Sequence, residues 1–195
     1  MAQLFSDQLE TWLKSSGKKT LGEMDKVFGV KGFAVAALIL MTPSALPLPT
    51  GGITHIFELI VMTMALGLMV GKQHLWLPRG LDKKPIGSRL ETKALPKFLA
   101  FIRWFERRSH PRLSSAMSSQ RFMRVAGLTI LILTVATFLA PPFSGLDTLP
   151  SLGVVLICLA ILLEDALIVL LGLLSGIVGI ILEISLGSLA WHFLH

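Results

Sequence analysis

The side chains of this sequence whose surroundings could make them do chemistry are acids set in or beside apolar runs. Residues 32–71 contain no Lys or Arg, and Glu58 is their one side chain ionised near neutral pH. His55 stands three positions earlier, so on a helix the two share a face and can form a hydrogen-bonded proton site. Asp147 follows the break at Pro141-Pro142, Glu164-Asp165 interrupts an apolar run, and Glu183 closes the uncharged stretch 166–182. A carboxylate in hydrocarbon costs a few kcal/mol on insertion scales, so it is placed against a cavity, a partner or the interface. Burial favours its protonated form, which lets it exchange a proton near neutral pH. Glu58, His55, Asp147, Glu164 and Asp165 are therefore the candidates for a proton, ion or substrate site. Plainer readings stand beside this one. Glu58 can point into interfacial water, Asp147 can be a solvated loop residue, and Glu183 can snorkel outward. Glu164-Asp165 can be a polar turn or the N-cap of a helix starting at Ala166.

Other chemistry is missing from the pattern. There is no phosphate-binding G-x-x-x-x-G-K-[ST] loop, no G-x-S-x-G elbow, no H-E-x-x-H helix and no paired Cys motif. The five His are scattered, with His110 in a basic stretch and His192 and His195 at the end. Cys158 is single and lies in an apolar run. The expectation is a protein that is not an enzyme and holds no metal and no cofactor.

The elements that must position these acids follow from composition. The 195 residues are 53% apolar and 15% charged, with a mean hydropathy of +0.72, whereas an ordinary soluble domain is about 25% charged. This predicts an all-α, polytopic helical membrane protein, a single domain over 1–195. The net charge of +6 resolves into +1 for residues 1–31, −1 for 32–71, +10 for 72–124 and −4 for 125–195. Segment 1–31 is an amphipathic N-terminal segment. Leu4, Phe5, Leu9, Trp12 and Leu13 share one face, expected at the membrane surface, and Thr20-Leu21-Gly22-Glu23 has capping-box spacing. The start lacks a secretory leader, so the first apolar helix is expected to act as an uncleaved insertion signal.

Segment 32–71 reads as a hairpin broken by Pro43, Pro47, Pro49, Gly51 and Gly52, since proline deletes backbone donors and disfavours helix in the residue before it. Its first arm, 32–42, reaches only about 17 Å, short of the ~30 Å hydrocarbon layer, so a re-entrant arm is expected here. Segment 125–195 forms a second broken hairpin, at Pro141, Pro142 and Gly145, with a C-terminal helix. The two breaks, together with Leu66-Gly67-Leu68-Met69-Val70-Gly71 and Leu171-Gly172-Leu173-Leu174-Ser175-Gly176, read as an internal repeat with an insertion in the second copy. The Gly-x-x-x-Gly pairs allow close helix approach, within one chain or in a homodimer.

Segment 72–124 is cytoplasmic by the positive-inside rule. Within it Leu95, Phe98, Leu99, Ile102 and Phe105 make the apolar face of an interfacial helix. Arg103, Arg107 and Arg108 are placed to meet anionic lipid, which makes the bilayer the expected partner. No nucleic-acid motif accompanies the charge. With the N-terminus and the basic segment inside, the C-terminus lies outside if Glu164-Asp165 is a turn, and inside if 152–182 is one tilted helix.

Several elements carry a family resemblance. They are Gly71-Lys72 followed by Trp76-Leu77-Pro78-Arg79-Gly80-Leu81, the preceding Pro47-Leu48-Pro49, Phe105-Glu106-Arg107 with Pro111-Arg112-Leu113, and Glu164-Asp165 before an apolar helix. Over about residues 18–185 the chain resembles the exopolysaccharide-synthesis ExoD family. The resemblance implies a multi-pass protein of the bacterial inner membrane associated with exopolysaccharide production or its machinery, with a link to alkaline tolerance and no known reaction. Proton- or ion-coupled transport, or a structural role in organising anionic lipid or a partner, are the alternatives. The family tends to have Asp-Gly where this chain has Asp165-Ala166, so a glycine-made helix break there is in doubt.

Overall fold

The computed structural model describes residues 5–16, 19–46, 53–72, 95–108, 119–141 and 144–194. Among them there are eight α-helices and no β-strand: α1 (Phe5–Lys14), α2 (Leu21–Phe28), α3 (Val30–Met41), α4 (Ile53–Met69), α5 (Leu95–Glu106), α6 (Gln120–Leu139), α7 (Thr148–Leu163) and α8 (Ala166–Leu194). The expected all-α class holds.

Local signals explain where the helices start and stop. Thr20 caps α2 by accepting from the Glu23 N–H at 3.1 Å, the first half of the capping box. Ser119 does the same for α6 through Phe122 at 3.2 Å. Helix α4 ends at Gly71, whose φ of +88° lets the Gly71 and Lys72 N–H groups bond back to Leu68 O and Gly67 O, both at 2.9 Å. Gly71 is therefore a helix stop, and a Cβ there would also lie 2.9 Å from Arg124 Nε of α6. Gly172 and Gly176 are a packing stripe. A Cβ at Gly172 would lie 2.8 Å from Ile157 Cγ1 and 3.0 Å from Gly153 O, so this is where α8 crosses α7 within the chain.

Helices α3 and α4, α4 and α6, α6 and α7, and α7 and α3 pack in turn to close a bundle, and α8 lies along α7. Helices α3 and α7 are inside. Gly32–Leu38 of α3 and Ile157–Leu163 of α7 are buried. The outside of α4, α6 and α8 is also apolar, with Ile56, Leu59, Val125, Ile132, Leu139 and Leu170 all exposed. A helix apolar all round is a buried core element or a membrane span. Gln120–Leu139 and Ala166–Leu189 are long and apolar enough to cross a bilayer, while α3, α4 and α7 are shorter apolar helices. The twelve residues of α3 reach about 18 Å. Pro47, Pro49 and Gly51 of the first break, and Pro142 of the second, lie outside the described residues. Pro141 and Gly145 stand in the turn that joins α6 to α7.

The chain between 148 and 194 is two helices, because Glu164 adopts left-handed φ 55°, ψ 36° and ends α7. Asp165 then caps α8, its Oδ1 accepting from the Leu167 N–H at 3.0 Å. The break occurs without a glycine, and the single tilted helix is excluded.

The amphipathic α1 does not turn its apolar face outward. Phe5, Leu9 and Trp12 are buried, and the Phe5 and Trp12 rings meet Phe28 edge-on at 5.5 and 5.8 Å. On its other side α1 docks on α5: Glu106 Oε1 accepts from the Ser6 N–H at 3.1 Å, and Arg103 pairs with Glu10 and lies 3.8 Å from Asp7. The face expected at the membrane surface is satisfied by protein.

Candidate functional site

Glu58 sits in the second turn of α4 and is wholly buried. Among the described residues, two side chains meet its carboxylate. The Ser44 hydroxyl, in the turn after α3, donates to Oε1 at 3.0 Å, and His55 Nδ1 lies 2.8 Å from Oε2. The i, i+3 spacing accounts for the His55 contact, and the hairpin brings Ser44 across from the other arm. Phe138 of α6 packs edge-on against the His55 ring at 5.1 Å, so a third helix closes the site. The His55 side chain remains 36% exposed, which leaves a route from the buried carboxylate to the exterior.

Asp147 lies near this site, within electrostatic reach of Glu58 and His55. Burial holds its carboxyl above the usual value of 3.8, and the negative charge of Glu58 pushes the same way, against its own backbone N–H. The structure thus brings Glu58, His55 and Asp147 together.

It places Glu164 and Asp165 elsewhere, in the turn at the opposite end of α7. There Glu164 pairs with Lys31 at 3.0 Å, and the two line a cavity of about 240 Å³ with Lys72 and Gln120. The five candidate residues therefore form two groups at the two ends of the bundle. Among the described residues no cluster of three or more His, Cys, Asp or Glu is spaced to hold a metal ion.

The three arginines also divide. Arg103 is occupied by the acids of α1, and together with Lys14 it holds the Glu10 carboxyl below its usual range, the Lys14 hydrogen bond contributing most. Arg107 and Arg108 are exposed, and Arg108 stacks on Trp104 with its guanidinium carbon 3.9 Å from the ring centroid. Phe101 and Trp104 are exposed on this helix.

Two residues of consequence escaped sequence reasoning. Ser44 carried only a weak signal, one hydroxyl between Pro43 and Ala45 in the hairpin break. Lys31 was visible as the last cation before the apolar zone, but its partner stands on a distant helix.

The match to the family described as Exopolysaccharide synthesis, ExoD runs over residues 5–185. The chain belongs to the ExoD family. A curated relative, Protein ExoD of Rhizobium meliloti (strain 1021), is 26% identical over 153 residues, covering 77% of this chain and 62% of that protein. An uncharacterized protein of Synechocystis sp. (strain ATCC 27184 / PCC 6803 / Kazusa) is 26% identical over 185 residues, covering 93% of this chain and 86% of its own. The chain thus spans less than two thirds of the Rhizobium relative. No solved structure matches it.

Of the elements that carried the ExoD resemblance, 76–81 and 111–113 lie outside the described residues. Phe105-Glu106-Arg107 closes α5, where Glu106 anchors α1. Glu164-Asp165 makes the turn between α7 and α8 of this ExoD-family chain, and the left-handed residue is Glu164, two positions before Ala166, where α8 begins.

Proposed function

We propose that the chain is an integral inner-membrane component of exopolysaccharide synthesis or export, and that it works by exchanging a proton or cation at Glu58. Family membership supports the first half, and the apolar exteriors of α6 and α8 support the membrane address. The observation that carries the mechanism is a carboxylate at 0% exposure held by one hydroxyl and one imidazole. Among the described residues the groups that meet this carboxylate are a hydroxyl and an imidazole, both able to pass a proton, and Asp147 stands nearby. His55 is the relay between Glu58 and the exterior. The hairpins α3–α4 and α6–α7 act as two halves around this site, with α8 as an added helix.

The basic segment anchors the cytoplasmic end, where Arg107, Arg108 and Trp104 meet anionic lipid. The protein performs no covalent chemistry in this reading, and a role in alkaline tolerance follows from proton exchange.

The test is complementation of a deletion strain, scored for secreted polysaccharide and for cytoplasmic pH after an alkaline shift. Glu58→Gln keeps the shape and one acceptor oxygen, turns the other into a donor, and cannot release a proton. It is expected to accumulate in membranes at the wild-type level, resist a carbonate wash and fail to restore polysaccharide. Full restoration by Glu58→Gln would remove the proton-exchange mechanism. A pH defect with normal polysaccharide would leave proton exchange standing and detach it from polysaccharide synthesis.

A further inference from the structure

A groove between α6 and α8 takes no part in the site around Glu58. Both helices pack on α7, and they meet through Leu133, whose Cδ2 would lie 2.4 Å from a Cβ placed on Gly176. Beyond that contact they part. The gap is a groove of about 640 Å³, walled by Ile132, Val135, Leu139, Ile180 and Ile184, and Glu183 is the one polar side chain lining it among the described residues. One carboxylate oxygen of Glu183 is buried with no hydrogen-bond partner. Residues 125–195 contain no Lys or Arg, and the two arginines of α6, Arg121 and Arg124, stand in its first turns, before the part of α6 that walls the groove. Among the described residues the ionisable neighbours are acids, with Asp147 acting on Glu183 and Glu58 acting on Asp147, and His55 is the basic group near them.

An apolar groove that ends at an unsatisfied carboxylate, at the acidic end of the bundle, is complementary to an amphiphile with a cationic, hydrogen-bond-donating head. We propose that this groove holds a phospholipid bearing a primary ammonium, of the phosphatidylethanolamine type. Its acyl chain lies between α6 and α8, and its ammonium donates to Glu183. The volume is within the roughly 300–1,000 Å³ typical of small-molecule sites. The reading rests on the membrane address proposed above. It adds to the protein a resident lipid at the end away from the basic segment.

The experiment uses the full chain in detergent, titrated separately with phosphatidylethanolamine, phosphatidylglycerol and phosphatidylcholine, with bound lipid counted by native mass spectrometry. Phosphatidylcholine is the decisive control, since its quaternary head carries the charge and has no N–H. Wild type is expected to retain phosphatidylethanolamine about tenfold better than either of the others, as one hydrogen bond to a charged group allows. Glu183→Gln is expected to reduce that preference to parity. Gly187 lines the groove and a Cβ there meets no atom within 4 Å, so Gly187→Leu is expected to exclude lipid while leaving helix content and melting unchanged. It keeps the test decisive should Glu183→Gln fold poorly.

Equal retention of the three lipids by wild type, or a preference that survives Glu183→Gln, overturns the proposal. So does a lipid-free dimer that Gly187→Leu dissociates, which would assign the groove to a second copy. A chain released from membranes by carbonate would instead overturn the membrane address. Lipid indifference in a membrane-retained chain overturns the groove reading alone.

Discussion

At the scale of single residues, Glu58 depends on donors that come from two directions. Ser44→Ala removes the Oε1 donor and leaves a buried carboxylate oxygen uncompensated. We expect a loss of about 1–3 kcal/mol, read as a lowered melting temperature in detergent, with helix content retained below the transition. Asp147 makes a pH prediction. Its carboxyl is raised in the folded state, chiefly by burial, so its contribution to stability is fully present below the ordinary carboxylate range and lost as pH rises through the raised folded value. Melting measured between about pH 3 and 7 should therefore show wild type losing stability relative to Asp147→Asn as pH increases. A constant difference across that range would contradict the burial. Sequence spacing was enough to pair His55 with Glu58, because the i, i+3 relation is local. It could not supply Ser44, whose donation to Glu58 exists only because the hairpin folds back on itself.

At the scale of elements, the turn between α7 and α8 stands out. A left-handed glutamate costs about 1–2 kcal/mol relative to glycine, while its partly exposed pair with Lys31 returns only about 0–1 kcal/mol. Glu164→Gly is accordingly expected to melt at or slightly above wild type, and Glu164→Val below it, because a β-branched residue tolerates this conformation least. The reverse order would show that the Lys31 pair, and not the backbone, governs the turn. The close crossing of α7 and α8 yields a second test. Gly172→Leu places atoms against Ile157 and the Gly153 carbonyl, and overpacking of this kind costs about 1–3 kcal/mol. Differential scanning of the variant should show that loss, and no shift would mean that α8 does not lie on α7. The capping spacing at Thr20 and the prolines at 43 and 141 had indicated where α2 starts and where α3 and α6 end. The direction in which α1 spends its apolar face had not been legible, since an amphipathic stripe fits a lipid surface and a protein surface equally well until Phe28 and α5 are in place.

At the scale of the whole molecule, charge is sorted along the bundle. Lys31, Lys72 and Glu164 line the cavity at one end, and Glu58, Asp147 and Glu183 lie toward the other, where no Lys or Arg follows residue 124. On the proposed membrane address with the basic end inside, the turn at Glu164 would send α8 back across, so a reporter fused after His195 should be active on the outer side and one inserted at 73–94 on the inner side. Both on one side would contradict the separate crossing of α8. Composition alone decided that the chain is helical and strongly apolar, and it isolated the acids worth testing, because hydropathy and charge are sums over residues that need no partner. Spacing decided the His55–Glu58 pair and the Thr20 cap, because those contacts lie within one helical turn. Which acids stand together, which arginine is occupied, and where an apolar wall is left open were decided only by the packing of helices distant in the chain. Those relations depend on distances between elements, and local sequence carries no term for them.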